Sequence, residues 1–246
     1  MNRHSVIIPA YKQTDLTIVH IRECMNSSRI PDEIVVVNDF GDATLKDRIA
    51  ELPRKCPIIY AYIRKELGFG YHAACNLGIW LSRGDFLTLE DADHIPLRDA
   101  YKNAVAVLQE RPELNRIGFR RQWVPIADTL SKPFDEWTPY GGLGSNAMVA
   151  MYRRELLLDT KGCNEEMLEY GWLAYSFKAR MLKVGLEGAL VNSFYIIKEG
   201  SEQNIKRNMS TKNRELYKKD GRNPHPHNSF GILNFEFDVT RFEKTV

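Results

Sequence analysis

Gly84-Asp85-Phe86-Leu87-Thr88-Leu89-Glu90-Asp91-Ala92-Asp93-His94 joins a short apolar run to the densest polar cluster of the chain. Unbroken apolar character from Phe86 to Leu89 fits a strand covered on both faces. Two carboxylates one residue apart at a strand end cannot both turn into a core, and a hard divalent cation relieves their repulsion most simply. Asp91 and Asp93 are therefore candidate ligands for Mg²⁺ or Mn²⁺, with phosphate oxygens and water completing the shell. His94 adds a nitrogen that favours Mn²⁺. Taken alone, the same pattern also reads as a solvated turn capping a helix near Leu97.

Upstream, the runs Val6–Ile8, Ile34–Val37 and Ile58–Ile63 read as further strands, separated by helix-period segments at Leu16–Met25, Ala43–Glu51 and Tyr71–Leu81. Such alternation is the mark of stacked βα units and a mostly parallel sheet. Downstream, a helix is expected over Leu97–Leu108, with Leu97, Tyr101, Ala104, Val105 and Leu108 on one stripe. The glycine-, proline- and aromatic-rich stretch from Trp123 to Gly144 reads as a long binding loop, followed by helix-period spacing over Glu165–Val184 and a strand near Ala189–Ile197. The remainder is basic and polar, with a helix expected around Asn208–Lys219.

With 246 residues, 43% of them hydrophobic, the chain suffices for one large α/β domain, and a disordered tail or disulfide-stapled mini-domain is excluded. A net charge of +2 gives no general reason to expect a nucleic-acid or membrane partner. No apolar run is long enough to span a bilayer, and Ser5–Ile8 is too short for a signal-peptide core, so a cytoplasmic location is expected, with the membrane periphery as the alternative. Cys24, Cys56, Cys75 and Cys163 show no CxxC pairing and read as free thiols.

Ligands of open parallel sheets bind beyond the carboxyl ends of the strands. Here those ends are Pro9-Ala10-Tyr11, Asn38-Asp39-Phe40-Gly41-Asp42 and Glu90–His94. This order of parts resembles the family 2 glycosyltransferases of GT-A fold. Ser5–Tyr11 looks like the family's opening strand and turn, Ile34–Asp39 like its second strand, Leu67-Gly68-Phe69-Gly70 through Asn76-Leu77-Gly78 like its Gly/Asn helix, and Gly84–Asp93 like its strand ending in DxD. Ser145–Met148 with Arg153–Leu157 resembles the acceptor-side strand and helix, so the likeness runs over residues 4–190.

The resemblance implies a single Rossmann-like, mostly parallel central sheet flanked by helices. Residues 1–197 would form the GT-A domain, with a nucleotide-binding half (1–95) and an acceptor half (96–197), and 198–246 a basic, polar extension packing on or covering the site. Pro9, Ala10 and Tyr11 would line base and ribose, Asp39 would accept a hydrogen bond from the base, and Asp91 and Asp93 would address ribose and metal-bound diphosphate. Gly68, His72 and Asn76 would complete the donor site from the third helix and its preceding turn.

Two departures stand out. The arginine that members carry before the helix asparagine is Cys75 here, which leaves diphosphate charge to the metal, with His72, Lys65 or Arg64 as helpers. The late acidic pair that supplies the general base is Leu173-Ala174. Glu169 and Glu166, one turn apart if helical, are the substitute candidates, alongside Glu165, Asp128 and Asp135. His227, in Pro224-His225-Pro226-His227, is a candidate third metal ligand, and Trp123, Trp137, Tyr140 and Trp172 are candidates to stack on sugars.

The expected activity is metal-dependent, inverting transfer of a sugar from a nucleoside-diphosphate sugar, UDP being the first choice, to a hydroxyl of a glycan, lipid carrier, protein or modified nucleic acid. A catalytically silent nucleotide-sugar-binding module and a sugar-phosphate nucleotidyltransferase remain alternatives.

Overall fold

All seven residues from His4 to Ala10 are buried, because the strand they form lies in mid-sheet with helices on both faces. The computed structural model describes residues 2–198, 210–222 and 236–246, and of 141–147, 192–198 and 220–222 the backbone only. In chain order the elements are β1 (His4–Ala10), α1 (Thr14–Asn26), β2 (Glu33–Asp39), α2 (Leu45–Glu51), β3 (Ile58–Ile63), α3 (Tyr71–Leu81), β4 (Phe86–Leu89), β5 (His94–Pro96) and α4 (Ala100–Glu110). They continue with β6 (Arg116–Pro125), α5 (Ile126–Ser131), β7 (Tyr140–Arg153), α6 (Arg154–Asp159), α7 (Leu173–Lys183), β8 (Gly188–Lys198), α8 (Thr211–Arg222) and β9 (Phe237–Phe242).

Side chains alternate across a strand. Val6, Ile8, Ile34 and Val36 pack on one face with Ile18 and Ile21 of α1 and Tyr101 and Ala104 of α4. Ile7, Val35 and Val37 pack on the other with Ala74 and Leu77 of α3 and Phe177 and Met181 of α7. Two covered faces are why these strands read as unbroken apolar runs.

Among the described residues one sheet of nine strands runs β5-β8-β6-β7-β4-β1-β2-β3-β9. The block β4-β1-β2-β3 is parallel, as is β6 with β8, while β5, β7 and β9 join antiparallel. The expected α/β sheet flanked by helices is present.

Three boundaries differ from expectation. The stretch 123–144 is only partly loop, since β6 reaches Pro125 and β7 begins at Tyr140; strand pairing overrides the turn preference of Gly141, Gly142 and Gly144. The helix expected from Leu97 begins at Ala100, and the one expected from Glu165 begins only at Leu173. Residues 163–168 instead follow an irregular path held by α3, and Gly171 (φ 97°) and Trp172 (φ 66°) turn the chain into α7.

Beyond residue 198, β9 pairs with β3 as an edge strand and α8 lies on α7, where Leu216 meets Met167 and Leu173. All four cysteines are buried and free. Among the described residues no helix is long and apolar enough to cross a membrane.

Candidate functional site

The chain builds β1, β2 and β3 in one direction across the sheet and then places β4 on the far side of β1, so a topological switch point lies between β1 and β4. Ligands of such sheets bind in the crevice at that point. Lacking an N–H, Pro9 cannot extend the ladder with β4, whose last pairing is Ile7 with Leu89. Glu90 N–H still reaches the Ile7 carbonyl at 3.0 Å, after which the strands part.

At the end of β2, Asp39 is only 5% exposed, and among the described residues its buried Oδ1 has no hydrogen-bond partner. Burial pushes this carboxyl up to about 6, against the lowering effect of the Gly70 backbone N–H. A Cβ at Gly70 would collide with the Asp39 carboxylate, so any larger residue there would have to displace that side chain. Tyr11 is 37% exposed, and the Lys12 ammonium lies 4.8 Å from its ring centroid. Lys12 (φ 52°) and Phe40 (φ 50°) both hold the left-handed conformation, strain of a kind that clusters at ligand sites.

Beyond β4, ligand atoms of Asp91, Asp93 and His94 lie within 4.8 Å of one another. The Tyr71 hydroxyl donates to Asp91 Oδ1, and burial, with Asp93 adding to it, holds the Asp91 carboxyl above the ordinary range. Arg121 Nη1 lies 2.8 Å from His94 Nε2 and can only donate, so Nε2 accepts and Nδ1 carries the ring proton toward Asp93 Oδ1, also 2.8 Å away. His94 thus orients Asp93 and also belongs, with Asp91 and Asp93, to a group whose ligand atoms are close enough to share one cation. The two crowded carboxylates of that group fit a hard divalent cation.

Behind this turn is a buried polar group that the sequence did not reveal. Glu90 has no exposed surface; its carboxylate takes the Tyr101 hydroxyl, faces His20 Nε2, and lies 4.0 Å from Cys24 Sγ. His20 and Cys24 are four residues apart, one helical turn, which alone could have paired them, but no local pattern brings them to Glu90.

Other expected residues have different surroundings. Gly68 (φ 81°) shapes the turn before α3, where a Cβ would press on the Leu168 carbonyl. His72 is buried, with Nδ1 2.8 Å from the Asn164 carbonyl. Asn76 is also buried; it accepts from Cys163 N–H at 2.7 Å and donates to the Cys163 carbonyl at 3.0 Å and Glu165 Oε1 at 2.6 Å. Both thus bind the 163–165 segment to α3. Arg64, one of the possible diphosphate helpers, is paired at the surface with Asp238 and Glu236 beside β9.

Of the acids ahead of α7, Glu166 is exposed, while Glu169 is exposed and accepts from Ser210 Oγ. Burial pushes Glu165 up to about 7, against the lowering effect of its bond from Asn76. Leu173 sits in the apolar contact with α8, a place where a carboxylate would lose its water. Trp137 is buried with Phe134, Trp172 stacks on Tyr217, and Tyr140 is exposed beside Trp123. His227 lies outside the described residues.

A family model described as Glycosyl transferase family 2 matches residues 5–143, more than half of the chain and all of the strand ends above. The chain belongs to that family. Hyaluronan synthase of Pasteurella multocida is 29% identical over 118 residues, covering 48% of this chain and 12% of that protein. Among solved structures, S. aureus TarS 1-349 in complex with UDP-GlcNAc superposes with a TM-score of 0.64 at 16% identity, over 81% of this chain and 60% of that one. The mannosyltransferase PcManGT from Pyrobaculum calidifontis, in complex with GDP-Man and Mn²⁺, does so with a TM-score of 0.62 at 17% identity, over 95% and 68%. These likenesses establish the GT-A fold.

Proposed function

We propose that this family 2 protein transfers a sugar from a nucleoside-diphosphate sugar, with UDP-sugars the first choice, to an acceptor hydroxyl, with inversion and with Mn²⁺ or Mg²⁺. The observation that carries the reading is Asp39: a buried carboxylate oxygen with no hydrogen-bond partner among the described residues, beside the crevice whose other wall holds Asp91 and Asp93. An orphaned buried acceptor is costly to keep unless a ligand donor meets it, and the N–H edge of a nucleobase is such a donor. Family membership and the nucleotide-sugar complexes of TarS and PcManGT support the same reading.

In this mechanism Asp39 takes the base, Tyr11 offers its ring to base or ribose, and Pro9 and Ala10 line the floor. Asp91 and Asp93 would hold the cation, with Tyr71 and His94 fixing their carboxylates. A cation bound there supplies electrostatic stabilisation to the departing diphosphate. The acceptor proton passes to the acidic segment ahead of α7. Glu169 is the exposed candidate, and Glu165 joins it because a carboxyl that titrates near 7 is matched to general-base work. The family's usual site for that base is closed by Leu173, and the covering role of 198–246 fits α8 lying there.

The acceptor class is a glycan, lipid carrier, protein or modified nucleic acid, and a location in the cytoplasm accords with the free thiols. A silent nucleotide-sugar-binding module is the second reading, favoured by Leu173-Ala174. Calorimetry with UDP and GDP in Mn²⁺, followed by donor turnover in wild type, E165Q and E169Q, tests both. Binding with turnover that falls at least about 100-fold in one Gln variant supports transfer, binding without any turnover supports the module, and absence of nucleotide binding overturns both.

A further inference from the structure

Cys75 leaves the diphosphate without the arginine that resemblance leads one to expect on α3, and Arg64 is held elsewhere by Asp238. A different cation enters the site from the acceptor side of the sheet. Arg121 lies in β6 at a place where pairing is irregular toward both neighbours, shifting between Arg121 and Trp123 against β7 and between Phe119 and Arg121 against β8. Bulges of this kind re-aim a side chain and are over-represented next to active sites. Here the guanidinium is brought onto His94 Nε2, its charge acts on Asp91 and Asp93, and among the described residues its buried Nε has no hydrogen-bond partner.

We propose that Arg121 is the diphosphate-binding cation of this chain, and that it replaces in charge, from the opposite side of the crevice, the arginine missing at position 75. The inference rests on the donor reading above. Charge balance gives its physical reason. Two carboxylates and one divalent cation cancel, so those three groups leave no excess positive charge for a diphosphate, and Arg121, brought onto the same turn, adds one fixed positive charge to them. The planar guanidinium also has donors to spare for phosphate oxygens after one of them has met His94.

The metal and the nucleotide should respond to this residue with opposite sign. Arg121 repels a cation arriving at Asp91 and Asp93 but attracts the anion that follows. Calorimetric titrations of Mn²⁺ alone, and of UDP in saturating Mn²⁺, on wild type, R121Q and R121K test this. R121Q should bind Mn²⁺ at least as tightly as wild type and bind UDP about 10-fold or more weakly, as expected for loss of a charge-assisted hydrogen bond. R121K, which keeps the charge, should recover part of the UDP affinity with an unchanged melting temperature.

Wild-type UDP affinity in R121Q would overturn the proposal. So would a joint loss of Mn²⁺ and UDP in R121Q with no recovery in R121K, since Arg121 would then only position His94 and Asp93. If wild type itself binds neither UDP nor GDP, the donor reading fails and the proposal falls with it.

Discussion

The Glu90 carboxylate accepts the Tyr101 hydroxyl across both oxygens, at 2.8 and 3.0 Å, in a place with no solvent. Glu90 is the residue before Asp91, so this contact and the one from His20 tie the start of the acidic turn to α4 and α1. The turn is thereby anchored by buried groups of α4 and α1.

Tyr101→Phe removes a donor from a buried carboxylate and should destabilise the fold by about 1–3 kcal/mol. Urea or thermal unfolding measures that loss. UDP and Mn²⁺ affinities measured below the transition should stay close to wild type.

Asp93→Asn, and separately Asp91→Asn, should abolish calorimetrically detectable Mn²⁺ binding and lower donor turnover by at least about 100-fold. In metal-free buffer, relief of the burial penalty and of carboxylate repulsion predicts a melting temperature equal to or above wild type for Asp91→Asn, whereas Asp93→Asn, which loses a charge that His94 stabilises, should melt below wild type. EDTA should inhibit wild type in the same measure, and added Mn²⁺ should restore it.

Asp39 predicts a pH dependence. Its folded carboxyl titrates at about 6, above the ordinary 3.8, so between these values the folded chain keeps a proton that the unfolded chain has lost. The stability this confers is present below the ordinary value and is lost as pH rises through about 6. Nucleobase binding has the opposite sign, because the ionised form is the better acceptor: UDP affinity should rise from pH 5 to 7. In Asp39→Asn that rise should disappear, and affinity should be low throughout.

Two glycine-to-alanine changes separate site from core. A Cβ at Gly70 meets the Asp39 carboxylate, whereas one at Gly78 meets Ile7 Cγ2 in the middle of the sheet. Gly70→Ala should weaken UDP binding with a modest change in melting temperature. Gly78→Ala overpacks a rigid core contact and should cost about 1–3 kcal/mol of stability while leaving the affinity of the folded protein unchanged.

Much of the first half of this molecule was legible because it is locally encoded. The helix over Tyr71–Leu81 and the strand over Phe86–Leu89 match their expected bounds, since a buried parallel strand and an apolar helix each carry their own periodicity. Asp39, Asp91 and Asp93 could be placed at one sheet edge because parallel strands all end on the same side. The second half was harder to read for the converse reason. The glycines of β7 resemble a loop until β6 pairs with them, and residues 163–168 resemble a helix until Asn76 captures them.

By itself the sequence determined the βα order, the acidic turn and its place at the carboxyl ends of the strands, because these depend on periods of two and 3.6 residues and on neighbours in the chain. Only the tertiary structure decided that Glu90 is buried under Tyr101, that Leu173 lies beneath α8, that β9 closes the sheet beside β3, and that Arg121 reaches the turn. Each of those contacts joins residues far apart in the chain or depends on a strand bulge, and side-chain direction across such distances is set by the packing of whole elements rather than by any local pattern.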